Sequence, residues 1–377
     1  MNDAGMINDD CHIKEVASEF AIAGEFIEGE EVHSGHINAT YKATFRNEDG
    51  RRHRYIIQRI NEKVFKDPLA VMRNVEMVTS HINSKVMRVK RDSGGQTLSL
   101  YPARGGSFFA SGTGGGIWRC YNFIEGCRTF EVVANTRQAY QAAHAFGSFQ
   151  DLVSDIPIED IEETIPDFHN TPKRYDRLMR VVDTDTHGRL AEVTAEVDFV
   201  KARKAMLSKF IDLRSRGDLP VRITHNDTKI NNVMMDVESD EAVCVIDLDT
   251  VMPGLSLYDF GDLVRTAVSP AAEDERDLSK VNVRMPMFEA LAEGYIDGCH
   301  CLCDAELDNL AFAGILISLE TGMRFLTDHL EGDVYFKIHQ DGQNLDRART
   351  QFRLVELLEE RQLEMESCVD RLAKARS

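Results

Sequence analysis

The chain has 377 residues, of which 43% are hydrophobic and 28% are charged, which is enough material for two buried cores. The formal net charge is −19 at pH 7, so we expect no binding to nucleic acid or to anionic membranes, because both carry charge of the same sign. We also expect no targeting segment and no membrane-spanning stretch, and eight scattered cysteines fit a reducing cytoplasm.

The first third of the chain carries mostly strand patterns, at residues 37–45, 54–60, 97–101 and 118–126. Between the second and third of these runs, Asp67-Pro68 suits the start of a helix. The apolar residues that follow are spaced by four, three and four positions and mark one helical face: Val71, Val75, Val78 and Ile82. This part of the chain therefore predicts a sheet with one helix.

From about residue 127 onward, helical periodicity dominates, except at residues 221–251, where three short strand-like pieces occur. A glycine-rich run at residues 112–116 predicts a hairpin turn and not a phosphate loop, because no helix opens after it. The sequence predicts an α/β (α+β) fold in two lobes. Residues 1–125 form a small β-rich N-lobe and residues 126–377 form a larger, mainly helical C-lobe.

The most informative pattern is His-x-Asp-x-x-x-x-Asn, formed by His225, Asp227 and Asn232. Phosphoryl transfer needs a carboxylate that orients and deprotonates the acceptor hydroxyl, together with oxygen ligands for a metal ion. Asp227 suits the first role, and Lys229 is near enough to neutralise charge that develops on the γ-phosphate. We expect His225 to hold the loop by hydrogen bonds. A literal Asp-Phe-Gly begins at Asp259, farther along the chain, and we expect Asp259 to be a buried acceptor that braces the loop.

A predicted hairpin supplies a second metal ligand. Residues 231–236 and 242–247 are strand-like and a turn separates them, so the hairpin brings Asp247 back beside Asn232. Two such oxygen ligands, completed by phosphate oxygens and water, suit Mg²⁺. Asp249 is a weaker candidate for a further metal contact.

These residues resemble the signature of the aminoglycoside phosphotransferase and choline kinase superfamily, in which His-x-Asp-x-x-x-x-Asn is followed by Ile-Asp. One departure is Asn226, which stands where many relatives have glycine. Longer strings, from His225 to Asn232 and at residues 246–262, are similar to the bacterial N-acetylhexosamine 1-kinases. The resemblance spans about residues 30–340. It implies a bilobal, protein-kinase-like fold that uses ATP and Mg²⁺ to phosphorylate the anomeric C1 hydroxyl of GlcNAc or GalNAc.

The resemblance also implies a nucleotide site in the N-lobe, with these members: His36, Asn38, Gln58, Arg59, Glu76 and the hinge-like backbone of Asn122, Phe123 and Ile124. The strand that carries a phosphate-binding lysine in kinase-like proteins reads Ile-Ile-Gln-Arg here. Gln58 has the expected register and Arg59 has the required charge, and the sequence leaves both open. Glu76 is expected either to pair with that cation or to be a solvated surface charge.

For the acceptor, the resemblance implies contacts from Arg324, Tyr335 and His33, in addition to Asp227. Arginine suits a carbonyl or ring hydroxyls and tyrosine can stack and donate, although both also suit packed positions. Three alternatives stay open: a kinase of the same superfamily for an amino alcohol, homoserine or an aminoglycoside, a catalytically silent nucleotide-binding scaffold, and a protein kinase. The lack of an evident activation segment disfavours the last of these.

Overall fold

The structure is a computed structural model that describes residues 9–32, 37–89, 97–112 and 115–376. The chain divides into two compact units. The first contains residues 1–127 and the short segment 161–164, and the second contains residues 128–160 and 165–377. The first unit is rich in strands and the second is mainly helical, which confirms the α/β class predicted from the sequence.

An antiparallel sheet forms the centre of the first unit, with its strands in the order β1-β2-β3-β6-β4 and with β5 paired to β6. The strands are β1 (Glu25–Glu31), β2 (Ala39–Arg46), β3 (Arg52–Arg59), β4 (Leu100–Tyr101), β5 (Ala110–Ser111) and β6 (Ile117–Asn122). The pairing of β5 with β6 makes the glycine-rich run part of a hairpin, as the sequence predicts.

Two helices, α1 (Asp9–Ser18) and α2 (Pro68–Val89), belong to the first unit, so the prediction of one helix there is wrong. The apolar side chains of α1, Ile13 and Val16 among them, are buried on one face of the sheet. The polar composition around them conceals this short apolar face in the sequence. Helix α2 begins where predicted, because Asp67 Oδ1 accepts the N–H groups of Leu69 and Ala70 at 3.1 and 3.0 Å.

The second unit is built mainly from helices. They are α3 (Thr136–Val153), α4 (Thr171–Thr184), α5 (Thr194–Ala202), α6 (Lys209–Ser215), α7 (Ser256–Ala267), α8 (Met285–Gly298), α9 (Asp304–Leu307), α10 (Leu310–Leu330), α11 (Gln343–Glu360) and α12 (Gln362–Arg376). A two-residue strand, β7 (Cys127–Arg128), lies at the division of the units.

Among the described residues, α10 is long and apolar enough to cross a membrane, contrary to the expectation from sequence. However, 94% of its apolar window is buried within the structure, which is typical of a core helix.

Close helix crossings place α7 in this core. A Cβ atom built on Gly261 of α7 would lie 2.6 Å from the carbonyl oxygen of Ala313 on α10. A Cβ atom on Gly147 of α3 would lie 2.5 Å from the carbonyl oxygen of Tyr295 on α8. Only glycine permits such approaches without a shift of the backbone. Helix α7 is therefore held tightly against α10.

Two short antiparallel pairs of strands interrupt the helices. Strand β8 (Arg222–Thr224) pairs with β11 (Met252–Gly254), and β9 (Val233–Asp236) pairs with β10 (Ala242–Val245). The second pair confirms the predicted hairpin, in which Val245 lies opposite Val233. The segment that joins β8 to β9, residues 225–232, is called the 225–232 loop below.

Candidate active site

The 225–232 loop is held by Asp259, which lies in the first turn of α7 and is fully buried. Asp259 Oδ2 accepts the backbone N–H of His225 at 2.9 Å, and Oδ1 accepts that of Asn226 at 2.7 Å. Gln150 Nε2 also donates to Oδ2, at 2.7 Å. Burial raises the pKa of Asp259, and these donors oppose the rise. The bracing role predicted for Asp259 is confirmed.

His225 has no exposed surface, and both of its ring nitrogens are used within the fold. Nε2 lies 3.0 Å from the carbonyl oxygen of Ile246, and Nδ1 accepts the backbone N–H of Asp227 at 3.3 Å. These partners assign the proton to Nε2. Phe146 and Phe149 pack edge-on against the ring, at 5.2 and 5.7 Å between centroids. His225 thus has the scaffolding contacts that the sequence predicts.

Asn226 adopts a left-handed backbone conformation, with φ of 63°. Glycine enters this region freely, and asparagine is among the few other residues that tolerate it. Asn226 Nδ2 donates to the carbonyl oxygens of Thr250 at 2.9 Å and of Thr224 at 3.1 Å. Asn226 thus has a backbone conformation that glycine would also permit, and its side chain ties the loop to its neighbours.

The Asp227 carboxylate is 24% exposed and lies between a cation and an amide. Lys229 Nζ is 3.1 Å from Oδ1, and Asn232 Nδ2 donates to Oδ2 at 3.1 Å. Burial raises the pKa of Asp227, but the neighbouring positive charge, foremost that of Lys229, outweighs burial, so the pKa lies below its ordinary value. The Asp227 charge in turn raises the pKa of Lys229. The site therefore holds an ionised carboxylate beside an ammonium group.

Asn232 and Asp247 meet at the open end of the β9–β10 hairpin. The N–H of Ile246 donates to the carbonyl oxygen of Asn232 at 2.9 Å, which brings the next residue, Asp247, beside Asn232 in the backbone. Asp247 is exposed and left-handed, with φ and ψ both 61°. Among the described residues, none donates a hydrogen bond to Asn232 Oδ1. An amide oxygen and a carboxylate are the hard ligands that suit Mg²⁺. Asp249, by contrast, is buried in the following turn.

Gln58 and Arg59 lie on opposite faces of β3, as neighbouring strand residues must. Gln58 Oε1 accepts hydrogen bonds from Nε and Nη2 of Arg119, at 3.1 and 3.0 Å, and Gln58 Nε2 donates to Thr40 Oγ1 at 3.0 Å. Arg119 comes from β6, is buried, and lies over the ring of Tyr121. A cation from β6 thus stands beside Gln58, although β3 has no lysine at this position. Sequence reasoning missed Arg119, and its only signal was an arginine within an apolar strand.

The structure describes some of the other predicted nucleotide-site and loop residues and not others. His33 and His36 lie outside the described residues. Asn38 Oδ1 accepts the backbone N–H of Asn61 at 3.0 Å and so ties the start of β2 to the end of β3. Glu76 is exposed on α2 and forms no ion pair within the described part of the chain. Its pairing with a phosphate-binding cation stays a prediction.

The backbone predicted as a hinge, residues 122–124, is partly used by the sheet. The N–H of Asn122 donates to the carbonyl oxygen of Ser99 at 3.1 Å, and that of Phe123 donates to the carbonyl oxygen of Arg54 at 3.4 Å. The N–H of Ile124 has no backbone partner among the described residues. The donor that an adenine would use is therefore expected at Ile124.

Arg324 and Tyr335, predicted to contact the acceptor, line the same small cavity in the second unit. Arg324 lies on α10 over two phenylalanine rings, at 5.1 and 5.5 Å from their centroids. One turn later, the Asp328 carboxylate accepts the N–H groups of residues 334–336 at 2.7–3.0 Å. This single side chain fixes the loop that carries Tyr335, which explains why Arg324 and Tyr335 come together.

Comparisons with known proteins identify the family and the fold. The model of a family described as phosphotransferase enzyme family (APH) matches residues 28–282. An aminoglycoside phosphotransferase from Alicyclobacillus acidocaldarius is 13% identical, with 98% of each chain covered and a TM-score of 0.64. A macrolide 2'-phosphotransferase from Brachybacterium faecium is 14% identical, with 92% of this chain and 97% of that chain covered and a TM-score of 0.54. A choline kinase from Cryptosporidium parvum is 12% identical, with 93% and 96% covered and a TM-score of 0.52. At such identities the likeness concerns the fold, and it agrees with the superfamily predicted from the sequence.

Proposed function

Because the chain belongs to the phosphotransferase enzyme family, we propose that it transfers the γ-phosphoryl group of ATP to the anomeric hydroxyl of an N-acetylhexosamine, GlcNAc or GalNAc. The observation that supports the proposal most is the ionised Asp227 carboxylate, with the Lys229 ammonium and the Asn232 amide each at 3.1 Å. A carboxylate placed in this way suits an acceptor hydroxyl that is about to attack phosphorus.

Asp227 accepts the hydrogen bond of the C1 hydroxyl, orients its oxygen toward the γ-phosphorus and takes its proton. A carboxylate of low pKa is a weak base, so its share of the catalysis is mostly orientation, as expected for a loose transition state. A hemiacetal hydroxyl is more acidic than an ordinary alcohol, which lowers the demand on the base. The C1–O bond is not broken, so the sugar keeps its anomeric configuration.

Each of the other proposed residues contacts either the phosphates and the rest of ATP or the sugar. Lys229, whose ammonium lies 3.1 Å from the Asp227 carboxylate, would neutralise charge on the phosphoryl group during transfer. Asn232 Oδ1 and the Asp247 carboxylate would hold Mg²⁺, which supplies charge neutralisation across the ATP phosphates. The remaining contacts that we propose for ATP are His36, Asn38, Gln58 with Arg119, Arg59, Glu76 and residues 122–124. Those that we propose for the sugar are His33, Arg324 and Tyr335.

The test is a panel of acceptors with ATP and Mg²⁺, read by ADP release. It contains GlcNAc, GalNAc, the parent hexoses, ethanolamine, choline, homoserine and an aminoglycoside. Turnover of the N-acetylhexosamines, with a product whose phosphate is acid-labile and coupled to H1 in ³¹P–¹H NMR, is the expected result.

Two other outcomes correct the proposal in different ways. If an amino alcohol or another acceptor turns over and the N-acetylhexosamines do not, the phosphotransferase assignment stands and the sugar is wrong. If ADP release is the same with Asp227→Asn as with the native protein, the role of Asp227 is wrong.

A further inference from the structure

A cavity of about 40 Å³ in the second unit is lined by three arginines, Arg174 and Arg177 of α4 and Arg324 of α10. The rest of the lining includes Tyr335 and two carboxylates, Asp328 and Glu331. A water molecule needs about 10–15 Å³ on a comparable measure, so the cavity holds about three waters. That is the space of a carboxylate or sulfate group and not of a whole sugar ring. The three guanidinium groups outnumber the two carboxylates of the lining, although the net charge of the whole chain is −19.

Within the described residues, one of the three arginines forms an ion pair with a carboxylate. Arg177 forms a bidentate pair with Glu331, in which Nε and Nη2 lie 3.1 and 2.6 Å from the two carboxylate oxygens. Arg324 forms no hydrogen bond or ion pair within the described residues. Arg174 Nη2 donates to the carbonyl oxygen of Phe168 at 2.9 Å, but its Nε is buried and has no hydrogen-bond partner in the described part of the chain.

The nearest other carboxylates are already occupied. Glu320 is buried on α10 and accepts hydrogen bonds from Thr171 Oγ1 at 2.5 Å and from the ring of His169 at 2.8 Å. Asp328 accepts the three N–H groups of residues 334–336 and a further bond from Asn344 Nδ2 at 2.9 Å. Burial and the neighbouring charge of Arg324 lower the pKa of Arg174, and together they outweigh the opposing effect of the Glu320 charge.

The cavity is connected to the 225–232 loop through a short path of contacts. His169 bonds to Glu320, one turn before Arg324, and its ring stacks on Tyr258 with 4.7 Å between centroids. Tyr258 directly precedes Asp259, which holds the loop. The cavity and the proposed base thus share one supporting structure within the second unit.

From these observations we propose that Arg174 and Arg324 bind an oxyanion, and that the acceptor of the proposed reaction carries one, as a carboxylate or a sulfate ester. Guanidinium groups bind such oxygens through charge-assisted, often bidentate hydrogen bonds, which an uncharged substituent cannot replace in full. Arg174 is then a specificity-determining residue that the sequence motifs do not reveal. The statement about the acceptor rests on the proposed function, whereas the statement about the oxyanion does not. The oxyanion has two possible sources, a free inorganic anion or the acidic group of an acceptor, and the experiment separates them.

The first arm measures binding of inorganic sulfate without ATP or sugar, by calorimetry at constant ionic strength with chloride as the reference anion. We expect saturable sulfate binding that weakens at least about tenfold in Arg174→Gln and in Arg324→Gln. Arg174→Lys keeps a positive charge and should retain part of the affinity, which separates loss of charge from loss of fold. Arg180→Gln, an exposed arginine of the same helix, is the matched control and should bind as the native protein does. Equal affinity in the native protein and Arg174→Gln, or no sulfate binding in the native protein, overturns the site.

The second arm compares acceptors that differ in one acidic group, N-acetylglucosamine with its 6-sulfate and N-acetylgalactosamine with its uronic acid. We expect kcat/KM to be at least about tenfold higher for the acidic member, and the advantage to disappear in Arg174→Gln. Equal kcat/KM within both pairs overturns the acidic acceptor and leaves the kinase proposal intact. If no sugar turns over but sulfate binding depends on Arg174, the proposed function fails, the oxyanion site stands, and its ligand is a free anion.

Discussion

The side-chain amide of Asn232 donates to two oxygens of Asp227, the backbone carbonyl at 2.8 Å and carboxylate Oδ2 at 3.1 Å. Because Nδ2 is used in this way, Oδ1 of the same amide is turned away from Asp227 and is available to a metal ion. One side chain therefore orients the proposed base and contributes a proposed metal ligand.

We expect Asn232→Ala to impair both functions. The concentration of Mg²⁺ needed for half-maximal activity should rise at least about tenfold, and kcat at saturating Mg²⁺ should also fall, because Asp227 loses a donor. Activity measured against Mg²⁺ concentration gives both quantities. The neighbouring Asn231→Ala is the control. An unchanged Mg²⁺ requirement in Asn232→Ala would show that this amide is not a ligand.

Asp227→Asn and Asp247→Asn should each lower kcat by about 10³-fold or more, because one removes the proposed base and the other a charged metal ligand. Both carboxylates are solvent-accessible, so the thermal midpoint should change little. Glu238→Gln, an exposed carboxylate in the turn of the same hairpin, should leave kcat unchanged. If either aspartate variant keeps more than a tenth of the native kcat, its assigned role is wrong.

Lys229→Gln should move the acidic limb of the kcat/KM profile to higher pH. In the native protein Lys229 helps to hold the pKa of Asp227 below its ordinary value of 3.8, so the carboxylate stays ionised throughout the neutral range. Without the ammonium group, burial raises this pKa, and protonation removes the base at a higher pH. Lys229→Arg keeps the charge and should keep the native profile. If the acidic limb of the kcat/KM profile lies at the same pH in the native protein and in Lys229→Gln, Lys229 does not control the pKa of Asp227.

Glu306→Gln should lower the free energy of unfolding by about 3 kcal/mol at pH 7, because Glu306 is buried and paired with Arg222 at 2.6 Å. Glu306 also accepts a hydrogen bond from Ser256 Oγ, the first residue of α7, at 2.5 Å. Burial raises the pKa of Glu306, but these donors outweigh burial and hold the pKa below its ordinary value of 4.5. A lowered pKa stabilises the fold above pH 4.5, and this stabilisation is lost as the pH falls through the folded-state value.

Urea unfolding at several pH values should therefore show the largest difference between native protein and Glu306→Gln near pH 7 and a smaller one below pH 4.5. Glu289→Gln, which breaks an exposed ion pair with Arg371, is the control and should cost less than about 1 kcal/mol. A difference that does not depend on pH would assign the loss to packing and not to the charge.

Gln58→Ala and Arg59→Ala distinguish the two candidates for the phosphate contact. We expect Gln58→Ala to raise the KM for ATP at least about tenfold, because it leaves the buried Arg119 without a partner that accepts from both Nε and Nη2. Arg59 is exposed and on the opposite face of β3, so Arg59→Ala should change this KM less than about threefold. A larger increase of the KM for ATP in Arg59→Ala than in Gln58→Ala would mean that Arg59 makes the phosphate contact.

Local patterns in the sequence were sufficient for part of the site. The hairpin and the bracing role of Asp259 follow from short spacings and turn chemistry, and the structure has both. Arg119 and Arg174 were not found, because each acquires its surroundings from a segment distant in the chain: Arg119 from β3, and Arg174 from α10. Helix α1 was missed because its apolar face is short and lies among charged residues. The surroundings of these residues depend on contacts with distant parts of the chain, which a local sequence pattern does not reveal.

Two residues of the proposed site, Asn226 and Asp247, have left-handed backbone conformations. Glycine, asparagine and aspartate are the residues that tolerate this backbone most readily, and at position 247 only aspartate among them also supplies a carboxylate for the proposed metal site. A change to any branched or larger side chain there imposes a backbone penalty before any chemistry is lost. Inherited variation at these two positions should therefore be limited to very few residue types, even in descendants that have changed their acceptor.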